Sequence, residues 1–139
     1  FEGRRVRLPV FLGRHPAEAA DPELRAFHRR LVTAAAHLRG EWQLLDCHGW
    51  PDNPSHHDML AWSWHDGEAG YLIVLNFADR PGQARVHPPW PTAGSSWRLT
   101  DLLDGRVFDR DGDELAEAGL YADLSAWGWH VLQARAVEQ

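Results

Sequence analysis

Carboxylates crowd one short stretch of this chain, at Asp109, Asp111, Asp113 and Glu114. Paired carboxylates are the groups that act as general acid and base or hold a hard cation. A calcium loop needs Gly at its sixth position behind acids at the first, third and fifth. Here Gly112 comes two places too early, so the stretch reads as a polar hairpin turn around Asp111-Gly112. His56, His57 and Asp58 form a second set. Adjacent histidines cannot make the helical i, i+4 pair of a zinc protease. With His48 and His65 brought close they would make a weak zinc site; the plainer reading is solvated loop histidines. Ser63, Ser95, Ser96 and Ser125 sit in no nucleophile elbow or Gly-rich motif, so no Ser-His-Asp arrangement is argued. His130, between Trp129 and Val131, reads as a hydrogen-bonded strand residue.

Tryptophan is the unusual component, with 8 residues in 139. Sugars stack their apolar faces on exposed aromatic rings, and Asn, Asp and His supply hydrogen bonds at the rim. Trp50 lies in a loop with Asp52 and Asn53, and Trp90 sits between Pro89 and Pro91. Trp50, Asp52, Asn53 and Trp90 are therefore the candidate carbohydrate-binding residues. The alternative for Trp50 is packing of its loop against the leading helix or against a barrel outside this chain. Trp62, Trp64, Trp97 and Trp129 alternate with other residue types, which predicts core positions.

The elements that must position these residues follow from periodicity. Asp21 suits a helix N-cap, Pro22 the first helical position and Glu23 the acidic first turn. Leu24, Phe27, Leu31, Ala34, Ala35 and Leu38 form one apolar stripe at helical spacing, and Gly40 is a natural stop. The spacing predicts a helix over 21–39. From residue 41 the period changes to two. Strands are expected at 41–47, 59–66, 71–77, 83–90, 96–103, 106–110, within 113–124 and at 127–135. Short strands separated by turn signals predict an antiparallel β-sandwich of about seven or eight strands, preceded by one α-helix. Residues 1–20 read as extended chain, with Arg4, Arg5 and Arg7 as a solvated or salt-bridged face and a phosphate site as the sharper alternative.

Composition narrows the function classes. The length suits one domain, and 44% hydrophobic residues suffice for one packed core. A net charge of -6 disfavours binding to a phosphate backbone, so nucleic acid is not an expected partner. All 14 basic residues are Arg, which reads as a GC-rich coding bias of bacterial kind. Cys47 is the only cysteine, so no internal disulfide and no cysteine-based zinc site is possible. A lone thiol fits a cytoplasmic setting. No apolar run reaches the length of a membrane span, and the start is not a signal peptide. The opening at Phe1 suggests a fragment or processed product.

Several segments in order carry a further signal: EGRRVRLPVFLGRHPAE, DPELRAFHRRL, WPDNPSHHDMLAWSW, YLIVLNFAD, WRLTDLLDG and LYADLSAWGWHVL. Together the chain resembles the C-terminal end of α-amylase-family enzymes, glycoside hydrolase family 13. Residues 120–132 are similar to the family's closing strand, with Ala126 where Pro is common. The resemblance implies that 1–39 are the last loop and helix of a (β/α)8 catalytic barrel, and that 40–139 are the C-terminal β-domain. It also implies a barrel partner and a parent enzyme acting on α-glucans. The family's catalytic carboxylates, placed about 5–5.5 Å apart in retaining enzymes, lie upstream of this region. No position here matches them, so no catalytic residue, metal or cofactor is expected. The function implied is an accessory, stabilising domain. The alternative is a carbohydrate-binding module that contacts α-glucan through exposed Trp.

Overall fold

The computed structural model describes residues 19–67, 69–90 and 94–137. Of the extended chain expected at 1–20, residues 1–18, with Arg4, Arg5 and Arg7, lie outside the described residues. The chain order is α1 (Pro22–Ala35), β1 (Glu41–Leu45), β2 (Cys47–His48), β3 (Met59–His65), β4 (Gly70–Asn76), β5 (Gly82–Val86), β6 (Ser96–Asp101), β7 (Val107–Asp111), α2 (Gly112–Glu117), β8 (Leu120–Leu124) and β9 (Trp129–Val137). The fold is the expected mainly β, antiparallel arrangement led by a helix. Among the described residues a six-stranded sheet runs β1-β3-β4-β9-β6-β7, and a three-stranded sheet runs β2-β5-β8. No described helix is long and apolar enough to cross a membrane.

The helix begins where expected. Asp21 Oδ1 accepts from the backbone N–H groups of Glu23 and Leu24, both at 3.0 Å, which satisfies two orphan donors of the first turn. It ends earlier than expected, at Ala35, because the chain tightens into i→i+3 bonds from His37 to Ala34 and from Leu38 to Ala35. Gly40 then takes φ 98°, and a Cβ there would fall 2.1 Å from the His65 carbonyl oxygen. This close approach brings the chain into β1 beside the end of β3.

The expected strand over 41–47 is divided. β1 pairs with β3 in the larger sheet, whereas Cys47 and His48 pair with Val86 and Arg85 of β5 in the smaller one. Asp46 is thus the corner where the chain changes sheet. The expected hairpin at Asp111-Gly112 is replaced by α2. Asp111 caps that helix by accepting from Asp113 N at 2.9 Å and Glu114 N at 3.1 Å. The acidic run suited a helix start as well as a turn, and the local cap decided between them.

Between the sheets lie Leu72, Val74, Val86, Leu99, Leu120 and Leu132. Burying each such side chain contributes roughly 1.5–3 kcal/mol. Trp90 and Trp97, with ring centroids 6.2 Å apart, fill one end of this interior. Beside them the strands carry small residues, since a Cβ at Gly70 would come within 2.6 Å of the Trp90 ring. Space taken by two indoles explains why Ala61 and Ser63 point inward from β3.

Leu60, Trp62 and Trp64, the alternate residues of β3, therefore point outward, a correction to the expected core positions of Trp62 and Trp64. The register aligns Trp42 with Trp64 and Leu44 with Trp62, then Trp64 with Tyr71 and Trp62 with Ile73. The outer face of the larger sheet is thus apolar across β1, β3, β4 and β9. Helix α1 lies on it: Ala34 is 2% exposed and packs with Ile73, Val131 and Leu103. Phe27 meets Trp129 at 5.3 Å between ring centroids. Trp62 and Trp64 are half-buried in this second cluster, and Trp129 remains exposed.

Candidate functional site

The outer face of the smaller sheet is built differently. Ala84 and Val86 of β5 pair with Ala122 and Leu120 of β8 and face the interior. The alternate positions, Gln83 with Asp123 and Arg85 with Tyr121, therefore face outward. The loop after β2 folds toward them. Trp50 and Asn53 form an isolated antiparallel bridge, with Asn53 N donating to Trp50 O at 2.9 Å. Asn53 Nδ2 donates to Gln83 Oε1 at 2.7 Å, and Gln83 Nε2 donates to Asp123 Oδ2 at 3.2 Å. Ser55 adds a clasp: its hydroxyl donates to Asn53 Oδ1 at 2.6 Å and accepts from Gln83 N at 2.9 Å. These bonds fix the loop against the sheet and hold Trp50 6.3 Å from Tyr121, the two rings inclined by 33°.

Tyr121 is 42% exposed. Arg85 stands over its ring at 5.5 Å and donates to Gly119 O at 3.1 Å. Beside this pair opens a cleft of about 290 Å³, lined by Arg85, Arg110, Asp109, Asp111, Glu114 and Tyr121 among others. Its acidic residues are unequally engaged. Arg98 donates to Asp109 through Nε and Nη2, at 2.8 and 3.2 Å, and the hydrogen bond and charge of Arg98 hold that carboxyl below its ordinary value. Asp111 caps α2. Glu114 lies 3.9 Å from Arg85, beyond hydrogen-bond length.

Of the residues predicted from sequence, Trp50 and Asn53 belong to this face. Asp52 is exposed on the same loop. Trp90 does not belong to it: it is 3% exposed in the interior, so it offers no ring face to a ligand. Its flanking prolines suggested a surface loop, but the ring turns inward over Gly70. Tyr121, Arg85, Gln83 and Asp123 were not anticipated. The alternation of residues 83, 85, 121 and 123 was visible, but the pairing of β5 with the distant β8 was not.

The histidines separate. His56 and His57 stack on each other at 4.0 Å, His48 meets His87 at 5.6 Å, and His65 stacks on Trp90 at 6.4 Å. Among the described residues no group of three or more His, Cys, Asp or Glu is placed to hold a metal ion. Burial first, then the neighbouring Asp46, pushes the Cys47 thiol above its ordinary value, which makes it a poor nucleophile at neutral pH.

One buried polar pair stands out. His130 Nδ1 lies 3.0 Å from Asp101 Oδ2, the expected hydrogen bond of His130 with its partner now identified. Asp101 Oδ1 also accepts from Leu103 N at 2.9 Å. Burial pushes the Asp101 carboxyl upward, but the bonds from His130 and Leu103 and the attraction of His130 together hold it below its ordinary value. His130 borders a cavity of about 200 Å³ whose described lining includes Arg106, Phe108, Tyr121 and Asp123 and holds no Ser, Thr or Cys. Among the described residues, this lining therefore offers the imidazole no Ser, Thr or Cys side chain to activate.

No family model matches the chain. No curated protein matches it. Among solved structures it is similar to a protein of Bacillus halodurans C-125 described as a candidate alpha-N-acetylgalactosaminidase, with a TM-score of 0.48 and 12% identity over 70% of this chain. The match takes in 21% of that protein's length.

Proposed function

We propose that this chain is the C-terminal accessory domain of an α-amylase-like enzyme acting on α-glucans, and that it stabilises the parent's (β/α)8 barrel without catalytic residues of its own. The observation that carries this reading is the outer face of the larger sheet. Trp42 and Leu44 of β1 are 54% and 56% exposed beside half-buried Trp62 and Trp64, and Leu24, Leu31 and Val32 of α1 are exposed as well. The register places Trp42 beside Trp64 and Leu44 beside Trp62, and an exposed apolar patch of this kind is the mark of a face that another protein surface covers. The segment order that resembles family 13 names the neighbour: α1 is the barrel's last helix, and its free side meets the rest of the barrel. A cytoplasmic setting, with Cys47 reduced, belongs to the same reading.

The test uses the full-length gene product. Trp42→Gln with Leu44→Gln is expected to shorten the half-life of α-glucan hydrolysis at elevated temperature while leaving initial kcat/KM unchanged. An unchanged half-life removes the stabilising role, and turnover of a maltooligosaccharide by the 139-residue chain alone removes the claim that it lacks chemistry. A second reading, an α-glucan-binding module, is favoured by the placement of Trp50 beside Tyr121.

A further inference from the structure

We infer that the turn carrying Trp127, with Phe77 on the turn beside it, is an anchor that seats this domain against a βα loop on the active-site face of the parent's barrel. The inference rests on the first reading above for the presence of a barrel, and it adds a contact that the exposed β1 face does not include.

Among the described residues Trp127 is the one non-glycine residue with a positive φ, at 56°. The cause is local. Gly128 N donates to Ser125 O at 2.9 Å, which closes a turn with Trp127 at its third position. Glycine or asparagine is the ordinary residue at a third position of this kind, because a Cβ crowds the left-handed backbone. The turn is held from two sides. Trp127 N donates to Ala78 O at 3.0 Å, and Asn76 N donates to Gly128 O at 2.9 Å. Asn76 is buried and bonded at both ends of its carboxamide: Nδ2 donates to Arg80 O at 2.7 Å and to Ser125 O at 2.9 Å, and Oδ1 accepts from Ala78 N at 3.0 Å. The indole gains little in return, being 60% exposed, and Phe77 on the adjoining turn is 56% exposed. A large ring on a strained and firmly held turn, with most of its surface open, does little for the stability of this chain. Its gain lies in a contact outside the chain, and a Trp on a rigid support is the kind of residue that anchors interfaces.

The direction of α1 identifies the partner. Phe27, in the first half of the helix, packs on Trp129. Gly40, just past its end, abuts the His65 carbonyl. β3 runs from Met59 to His65, Met59 pairs with Asn76, and Leu75 pairs with Trp129. The helix therefore starts at the end of the sheet where the Phe77 and Trp127 turns stand, and it finishes at the other end. In a (β/α)8 barrel each helix starts at the face where the βα loops build the active site. With α1 as the barrel's last helix, the tip stands level with those loops, whereas Trp42, paired with Trp64, lies toward the far end. Leu60 and Trp129, both partly exposed, continue the apolar patch on the strands behind the tip. The ion pair of Arg80 with Asp58 and the exposed Asp79 border it. Apolar anchors with a polar border are the arrangement that keeps water out of a contact.

Two measurements on the full-length gene product and one on the 139-residue chain test the inference. With p-benzoylphenylalanine in place of Trp127, irradiation of the full-length protein is expected to crosslink this position to a segment joining a barrel strand to its following helix, read by peptide mass spectrometry. Crosslinks to the opposite face of the barrel or to a second copy, or none at all, overturn the inference. Trp127→Gly is expected to unfold the 139-residue chain at a urea midpoint equal to or above that of the parent chain, because glycine relieves the turn. The same change should shorten the half-life of the full-length enzyme at elevated temperature about fivefold. Trp127→Phe, which keeps a ring, should recover most of that half-life, and Trp127→Asn, the other residue suited to the turn, should repeat the glycine result. A lowered midpoint in both Trp127→Gly and Trp127→Asn means that the ring packs within this chain, and the inference falls; an unchanged half-life has the same consequence. Quenching of tryptophan fluorescence by maltoheptaose that disappears in Trp127→Gly makes the ring a sugar platform and overturns it as well. A half-life shortened by Trp42→Gln with Leu44→Gln but not by Trp127→Gly removes the tip alone. One shortened by Trp127→Gly but not by that pair removes the β1 face and keeps the tip, and one shortened by neither removes both.

Discussion

The two outward faces of this sandwich follow the same pleat and carry opposite chemistries. On the larger sheet the outward positions are Trp42, Leu44, Trp62, Trp64, Ile73 and Val131, with α1 laid over part of them. On the smaller sheet they are Gln83, Arg85, Tyr121 and Asp123, joined by hydrogen bonds to the Trp50 loop. Both faces contain aromatic rings, so aromatic content alone does not tell a docking face from a ligand face. What separates them is the neighbourhood of each ring. Indoles among aliphatic residues gain by excluding water over a wide area. Rings among amides, carboxylates and a guanidinium sit where water, or a ligand that behaves like water, must stay.

The sharpest way to break this contrast is to charge the seam under the helix. Ala34→Arg places a cation where 2% of the residue is exposed. It is expected to cost about 3 kcal/mol or more, measured as a shift in the urea midpoint. A change below about 0.5 kcal/mol, the size usual for surface sites, means that the helix does not pack on this face.

Asp101→Asn probes the interior that both faces share. It removes the acceptor of a buried bond to His130 and is expected to destabilise the chain at pH 7 by about 1–3 kcal/mol. The sign of the pH dependence follows from the lowered folded-state value of Asp101. A depressed carboxyl contributes stability that is present above its unfolded value of about 3.9 and is lost as pH falls through the folded value. Thermal melts from pH 7 to pH 2 should therefore fall less steeply below about pH 4 in Asp101→Asn than in the parent chain. Equal slopes mean that the pair contributes nothing to acid sensitivity.

The smallest expected effect on stability lies on the open part of the apolar face. In the isolated chain, Trp42→Gln with Leu44→Gln should change the unfolding free energy by no more than about 0.5 kcal/mol per site. The same pair should reduce self-association in light scattering. A large loss of stability would show that these side chains are already covered within the chain, and the two faces would then differ less than described.

Local signals were legible in the sequence. Asp21 and Pro22 marked the start of α1, and the alternation of residues 59–66 set which residues share a face of β3. The sequence did not reveal which face is inside. Trp62 and Trp64 looked like core because they alternate with other residue types, but Trp90 and Trp97 already occupy that space. A turn at Asp111-Gly112 leading straight to a strand within 113–124 was expected, yet Asp111 caps a short helix before β8. The candidate site was half legible: Trp50 and Asn53 share one loop, whereas Tyr121 arrives through β5–β8 pairing between segments far apart in the chain. Long-range pairing and the competition of large side chains for one space leave no local trace.

The corner at Asp46 has a consequence for how the chain is made. Among the described residues β1 forms one rim of the larger sheet with Trp42 and Leu44 outward, while the opposite rim, β7, carries Asp109, Arg110 and Asp111. A rim strand offers free backbone donors and acceptors to any newcomer, and charge is the usual deterrent. During synthesis or refolding, the β7 rim repels an approaching strand and the β1 rim invites one. Losses to precipitation should begin at β1 and grow with concentration, and a cell that makes this protein has reason to shield that rim early.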